Sequence, residues 1–252
     1  MDSRNIENIR NFNINTKKAL YKSDVIWHES DDKTGSPGPK KLIGGNMEAG
    51  FFGEVPSSEF ITGKNLSDIL GLSAGEFIES SNSWLKFSYL GKIEFISKKP
   101  IKHSVSWGYI SYTNAVYGGK TITILGKKYS VRLIKGKTEG KQGEMSQIKG
   151  SINHNSEWNR LMLPIHKNAP DNWKFKDNVN WPTENWNIGY TDSDLLTNSK
   201  YGDGSYTWCQ ERGEQLSTRL YRGKEGVSYS ESFDMVNDYS GYGWRPVLEL
   251  AE

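Results

Sequence analysis

Short runs of alternating apolar and polar residues, punctuated by glycine, dominate the chain from Leu42 onward. Trp84, Lys86 and Ser88 alternate with Leu85, Phe87 and Tyr89, and Ile93-Glu94-Phe95-Ile96 follows Leu90-Gly91-Lys92. This predicts a hairpin with one face more apolar than the other. Residues 121–124 and 129–134, on either side of Gly126-Lys127-Lys128, predict a second hairpin. At the end of the chain, Trp244, Pro246, Leu248 and Leu250 share one face of a strand, and Arg245, Val247 and Glu249 share the other. The proline inside that run marks either an edge strand or the start of one. Short helices are expected over 65–72, stopped by glycine, over 108–116 and over 156–163. Glu157 sits in the first turn of the last of these, a favourable place for an acid. Beyond Pro164 little regular periodicity is visible until the terminal strand, and Trp173, Trp181 and Trp186 lie amid Asn and Asp as in an ordered loop.

Residues 1–30 differ from the rest. They have no glycine, are rich in Asn, Ile and Lys, and space apolar side chains weakly at Ile6, Ile9, Phe12, Ile14 and Leu20. Two readings stand side by side: an arm or short helix that anchors on a neighbour through Ile6, Ile9, Phe12 and Ile14, or a disordered tail. The stretch Asp31-Asp32-Lys33-Thr34-Gly35-Ser36-Pro37-Gly38-Pro39 has the composition of turns and linkers. It divides an arm, 1–30, from a domain, 31–252.

Composition narrows the class. Only 35% of the 252 residues are hydrophobic, while Gly (26), Trp (9) and Tyr (13) are plentiful, which suits short strands and long ordered loops rather than a helical bundle. A net charge of +2 gives no electrostatic case for nucleic acid, and no apolar run is long enough to insert in a membrane. The single cysteine, Cys209, excludes an intrachain disulfide framework and a multi-cysteine metal site. Met1-Asp2-Ser3-Arg4-Asn5 opens no apolar leader, so synthesis in a reducing cytoplasm without a signal peptide is expected.

The C-terminal half carries a ladder of aromatic and arginine motifs. Ser156-Glu157-Trp158-Asn159-Arg160 is followed by Gly204-Ser205-Tyr206-Thr207-Trp208-Cys209, then Arg219-Leu220-Tyr221-Arg222-Gly223, then Gly243-Trp244-Arg245-Pro246. Together with Val105-Ser106-Trp107, this order resembles the formylglycine-generating-enzyme branch of the C-type-lectin-like fold. A closer resemblance is to virion proteins of tailed bacteriophages. Those share Asn46-Met47-Glu48-Ala49-Gly50-Phe51-Phe52-Gly53-Glu54-Val55, Trp84-Leu85-Lys86-Phe87 and the ending from Tyr242, over roughly 39–250. The resemblance implies an α+β fold with short helices, small antiparallel sheets and many loops. It also implies a structural or host-recognition component of a phage particle. The branch's copper-thiolate oxidation needs paired cysteines, and one cysteine departs from that pattern. No enzyme is expected.

Two functions follow: a lectin-like module displayed for host recognition, or a purely architectural decoration of capsid, neck, tail or baseplate. The segment 226–243 supplies candidate ligand-binding residues Tyr229, Phe233, Asp234, Asn237, Asp238, Tyr239 and Tyr242, since Tyr offers large contact area and Asn adapts its hydrogen bonds. The same residues suit a stable loop core. Glu157, Trp158, Trp208, Arg222, Trp244 and Arg245 read as scaffold, with the arginines stacked on tryptophan and forked onto carboxylates such as Glu157. Expected partners are other virion proteins, copies of this chain within the particle and a host-surface glycan or protein. No cofactor is expected. A structural calcium near Asp192, Asp194 and Asp203 is an alternative to Asx turns there.

Overall fold

The computed structural model describes residues 31–78, 82–136, 156–167, 185–197, 204–213, 215–224 and 226–251. The chain divides into two units, Met1–Asp31 and Asp32–Glu252. The anchoring residues Ile6, Ile9, Phe12 and Ile14 lie outside the described residues, as do Trp173, Trp181 and Asp203.

In the second unit the order is β1 (Gly44–Gly45), β2 (Ala49–Val55), a 3-10 turn, α1 (Gly63–Leu70), β3 (Glu76–Phe77), β4 (Trp84–Tyr89), β5 (Lys92–Ser97) and β6 (Lys102–His103). Then come α2 (Trp107–Tyr112), β7 (Tyr117–Ile124), β8 (Lys127–Leu133), α3 (Glu157–Leu161) and α4 (Asp192–Leu195). The chain finishes with β9 (Tyr206–Arg212), β10 (Thr218–Gly223), β11 (Gly226–Asp234), β12 (Tyr242–Trp244) and β13 (Pro246–Leu250). The strands form two sheets, ordered β1-β2-β4-β5-β13-β8-β7 and β11-β10-β9-β12-β6-β3. All described strand pairs are antiparallel except β12 with β9. The protein is thus mixed α+β, with mostly antiparallel sheets and few, short helices.

Local chemistry sets the helix ends. Thr62 caps α1 by accepting from the Asn65 N–H, and Gly71, left-handed at φ 70, ends it. The expected start at Asn65 therefore falls two residues late. Ser106 caps α2 through Tyr109 N–H, and Asn114 takes a left-handed φ of 59 beyond its end. The expected helix over 108–116 is correspondingly shorter, and Tyr117 opens β7. Ser156 caps α3 through Asn159 N–H.

The hairpin at 84–97 forms, but its expected one-sidedness does not. Trp84, Leu85, Lys86, Phe87 and Ser88 are all buried, because β4 lies between β2 and β5 with a core on each face of the sheet. One core joins Trp84, Phe95, Tyr129 and Leu248 to α1, α2, Trp208 and Trp244. The other joins Leu85, Phe87, Ile96 and Val247 to Trp158, Leu161, Cys209 and Leu220. Pro246 begins β13, yet β13 is central, paired with β5 on one side and β8 on the other, so the edge-strand alternative is corrected. The chain changes sheets at Arg245, which places Trp244 and Leu248 in separate strands of different sheets rather than on one strand.

The turn-rich stretch after Asp31 is not a loose linker. Lys86 Nζ donates to Asp32 Oδ2 at 2.7 Å and to the carbonyls of Pro39 and Pro37 at 2.7 and 2.9 Å. Asp32 also accepts from Ser36 Oγ at 2.7 Å, and both side chains of the Lys86–Asp32 pair are fully buried.

Candidate recognition surface

The ladder residues form a buried frame. The Trp158 ring faces two guanidinium groups, Arg222 at 5.5 Å and Arg245 at 5.3 Å. Burial pushes both arginine pKa values down, and the ring's negative face compensates part of that loss of hydration. Arg222 reaches Asn159 Oδ1 at 2.6 Å and Gly136 O at 3.2 Å, and Arg245 donates to Leu195 O. Neither has Glu157 as its hydrogen-bond partner. That carboxylate instead takes a fork from Arg132, at 2.8 and 2.6 Å, and the Lys135 N–H at 2.8 Å. The Ser156 cap opens α3 beside the end of β8, so the nearest guanidinium is the one on that strand. Arg132 also binds Glu94 at 2.7 Å and Glu249 at 3.1 Å. Burial first, and then repulsion from Glu157, raises the Glu94 carboxyl well above its ordinary range. For Arg132, burial opposes the charge but Glu157 and Glu94 outweigh it and raise the pKa.

The region expected to lack regular structure is a three-stranded meander. β9 pairs with β10 and β10 with β11, with Tyr221 opposite Trp208 and Glu231. Strand alternation therefore sorts Trp208 and Tyr206, Arg219 and Tyr221, and Tyr229, Glu231 and Phe233 onto one face. Cys209, Leu220 and Arg222 point to the opposite face, into the core with Trp158, and Val227 joins them beyond the register shift at Gly223. The first face carries a continuous aromatic pile. Tyr242 stacks on Trp208 at 4.4 Å and on Phe233 at 5.8 Å, while Tyr221 stacks on Tyr206 at 5.2 Å and on Tyr229 at 6.5 Å. Trp208 is locked further by its indole N–H on Val105 O at 2.9 Å.

Toward the β11 side this pile reaches solvent. Phe233 is 42% exposed and Tyr239, in the turn after β11, is 67% exposed. Between the rings sits Glu231, whose Oε2 accepts from the Tyr221 hydroxyl, from the Tyr229 hydroxyl at 2.7 Å and from Lys224 Nζ at 3.2 Å. Burial opposes the Glu231 charge, but Tyr221, Tyr229 and Lys224 outweigh it and hold the carboxyl below its ordinary value. Burial first, then Glu231, raises the Tyr221 hydroxyl. Lys224 lies over Tyr206 at 5.5 Å and Tyr229 at 5.6 Å. The 235–241 turn is pinned from two sides: Gly108 N–H donates to Met235 O at 3.0 Å, and Met235 N–H to Ser217 O at 2.8 Å. Arg219 stacks 4.2 Å over Trp107 beside it.

The seven candidate ligand residues separate by position. Phe233, Asp238 and Tyr239 are exposed, and Asp234 and Asn237 are half-buried. Asp234 Oδ1 accepts the Val236 N–H at 3.2 Å and thus shapes its own turn. Tyr229 and Tyr242 are buried in the aromatic pile, so their role is to support the surface and not to present a ring to solvent. Residues 226–234 form β11, not a loop. The structure adds Tyr206, Tyr221, Lys224 and Glu231 to the site. The alternation Tyr229, Glu231, Phe233 could have placed Glu231 beside the two candidate rings, but it carries no signal for the other three.

Cys209 is buried, and burial raises its thiol pKa well above the ordinary value. Among the described residues, no group of three or more His, Cys, Asp or Glu side chains is placed to hold a metal ion. Asp192 accepts the Val227 N–H at 2.8 Å, and Asp194 closes a capping box with Thr191. No helix among the described residues is long and apolar enough to cross a membrane. Comparison of the chain with protein-family models, curated proteins and solved structures gives no match.

Proposed function

We propose that this chain is a non-enzymatic virion protein of a tailed bacteriophage, whose C-type-lectin-like domain displays the β9–β11 face for host-surface recognition. The phage assignment and the finer fold assignment rest on the ordered motifs from Asn46 to Pro246. The observation that carries the binding role is the exposed rim of Phe233 and Tyr239 beside the Glu231–Lys224 pair, on an aromatic pile that is already ordered. Rigid aromatic side chains give contact area at small entropic cost, and a fixed carboxylate and ammonium supply directional contacts to polar groups. A surface organised before binding loses little on association.

The test uses fluorescently labelled full chain added to cells of the phage's host. Wild type should bind saturably and compete with particle adsorption. A Phe233→Ala/Tyr239→Ala variant, with unchanged melting, should lose about tenfold or more in affinity, the range of a modest interface anchor. Absence of binding by wild type, or equal binding by the variant, would remove the recognition role and leave the architectural one.

A further inference from the structure

The Arg245 guanidinium is a buried charge without a counter-charge. It sits where the chain leaves β12 for β13, at 0% exposure, and its one hydrogen bond among the described residues runs from Nη2 to Leu195 O. Nε and Nη1 have no hydrogen-bond partner. Among the described residues, no Asp or Glu oxygen lies within ion-pair distance of this side chain. Glu157, the acid beside Trp158, is taken up by Arg132 and the Lys135 N–H. Burial pushes the Arg245 pKa down to about 9, which leaves the group charged at neutral pH.

The surroundings are tight and mostly apolar. The Trp158 ring lies 5.3 Å from the Arg245 guanidinium carbon. A Cβ on Gly223 would meet Leu196 at 2.9 Å, Ser205 O at 3.1 Å and Trp158 at 4.0 Å, so β9, β10, α3 and the end of α4 close over this ring. Thr207 stands opposite Arg222 in the β9–β10 pairing, so its side chain faces the same layer. Its hydroxyl is buried and has no partner either. Removing a guanidinium from water costs far more than an aromatic face returns, and arginine keeps its proton, so an anion has to meet the charge. Aromatic and aliphatic walls cannot replace the hydration of a doubly charged phosphate or sulfate. A single negative charge matches the single unpaired positive one.

We propose that the unpartnered N–H groups of Arg245 hold a monovalent, weakly hydrated inorganic anion of the halide class, enclosed as the domain folds. The site lies on the opposite face of the β9–β11 sheet from the recognition surface and is independent of it. Bromide is the probe, on the full chain. Crystals grown in bromide should show an anomalous peak within hydrogen-bond distance of Arg245 Nε or Nη1. In solution, the melting temperature should rise saturably by about 3 °C or more as bromide replaces fluoride from about 1 to about 100 mM at fixed ionic strength. Arg245→Met keeps much of the volume without the charge and should lose that response. If the variant does not fold, the crystal and the wild-type titration decide. Anomalous peaks at the protein surface only, an ordered water in the Arg245 position, equal melting in bromide and fluoride, or an undiminished response in folded Arg245→Met would each overturn the proposal.

Discussion

Replacing Lys86 with methionine preserves most of the side chain's volume and removes its charge. In the native fold that ammonium meets Asp32 Oδ2 and two prolyl carbonyls, with the rings of Phe52 and Phe95 5.2 and 5.8 Å away. The variant leaves a buried carboxylate held by Thr34, Ser36 and the more exposed Lys40, and leaves two carbonyls without their donor. Breaking a buried pair from one side costs about 3–5 kcal/mol, against a typical total stability of about 5–15 kcal/mol. For a domain of this size that lowers the melting temperature by about 6–20 °C. The pH dependence follows from Asp32. Burial opposes its charge, but the hydrogen bonds from Lys86, Thr34 and Ser36 outweigh it and hold its carboxyl far below the ordinary value. Such a depressed group adds stability that is present above the unfolded value of about 3.9 and is lost as pH falls through the folded value. In Lys86→Met the carboxyl pKa rises, so protonation relieves part of the penalty. The gap between wild type and variant, measured by urea unfolding, should therefore shrink from about pH 7 to about pH 3. Asp32→Asn/Lys86→Met should recover at least about 1 kcal/mol of the single variant's loss. A single variant within about 1 kcal/mol of wild type at neutral pH, or a double variant no more stable than the single, would refute the reasoning.

Three further outcomes are expected. Trp244→Ala should destabilise the fold by about 3–5 kcal/mol, read by chemical denaturation, since its ring is fully buried in the core. Glu231→Gln should lower the pH at which tyrosine ionises in an absorbance titration, because Glu231 is the second cause, after burial, of the raised Tyr221 value; an unchanged titration would detach Glu231 from the pile. Deleting residues 1–29 should leave a folded, soluble domain that no longer joins the particle, and incorporation at normal copy number would move attachment onto the domain itself.

Both hairpins and the presence of three short helices near 65–72, 108–116 and 156–163 were legible from glycine turns and local pattern, whereas the Thr62 and Ser106 caps that set the true helix starts were not read. The meander was not, for a physical reason. In β11, Tyr229, Glu231 and Phe233 alternate with serines, so the apolar contrast between faces is weak. What stabilises those strands is the pile of Trp208, Tyr221 and Tyr242, assembled from distant segments. Charge partners were hidden similarly. Arg222 and Arg245 do stack on tryptophan, but on the same one, Trp158. The carboxylate expected for them belongs to Arg132, which lies 25 residues before it on β8. The proline in the last strand correctly marked a start, but only the pairing with β5 and β8 shows that the strand is central.

A map of the assembled phage particle tests the central claim most directly. It should contain this chain, with Phe233 and Tyr239 facing solvent and the Glu231–Lys224 pair reachable from outside. A particle lacking the chain, or one in which this face is buried against neighbouring subunits, would contradict the claim.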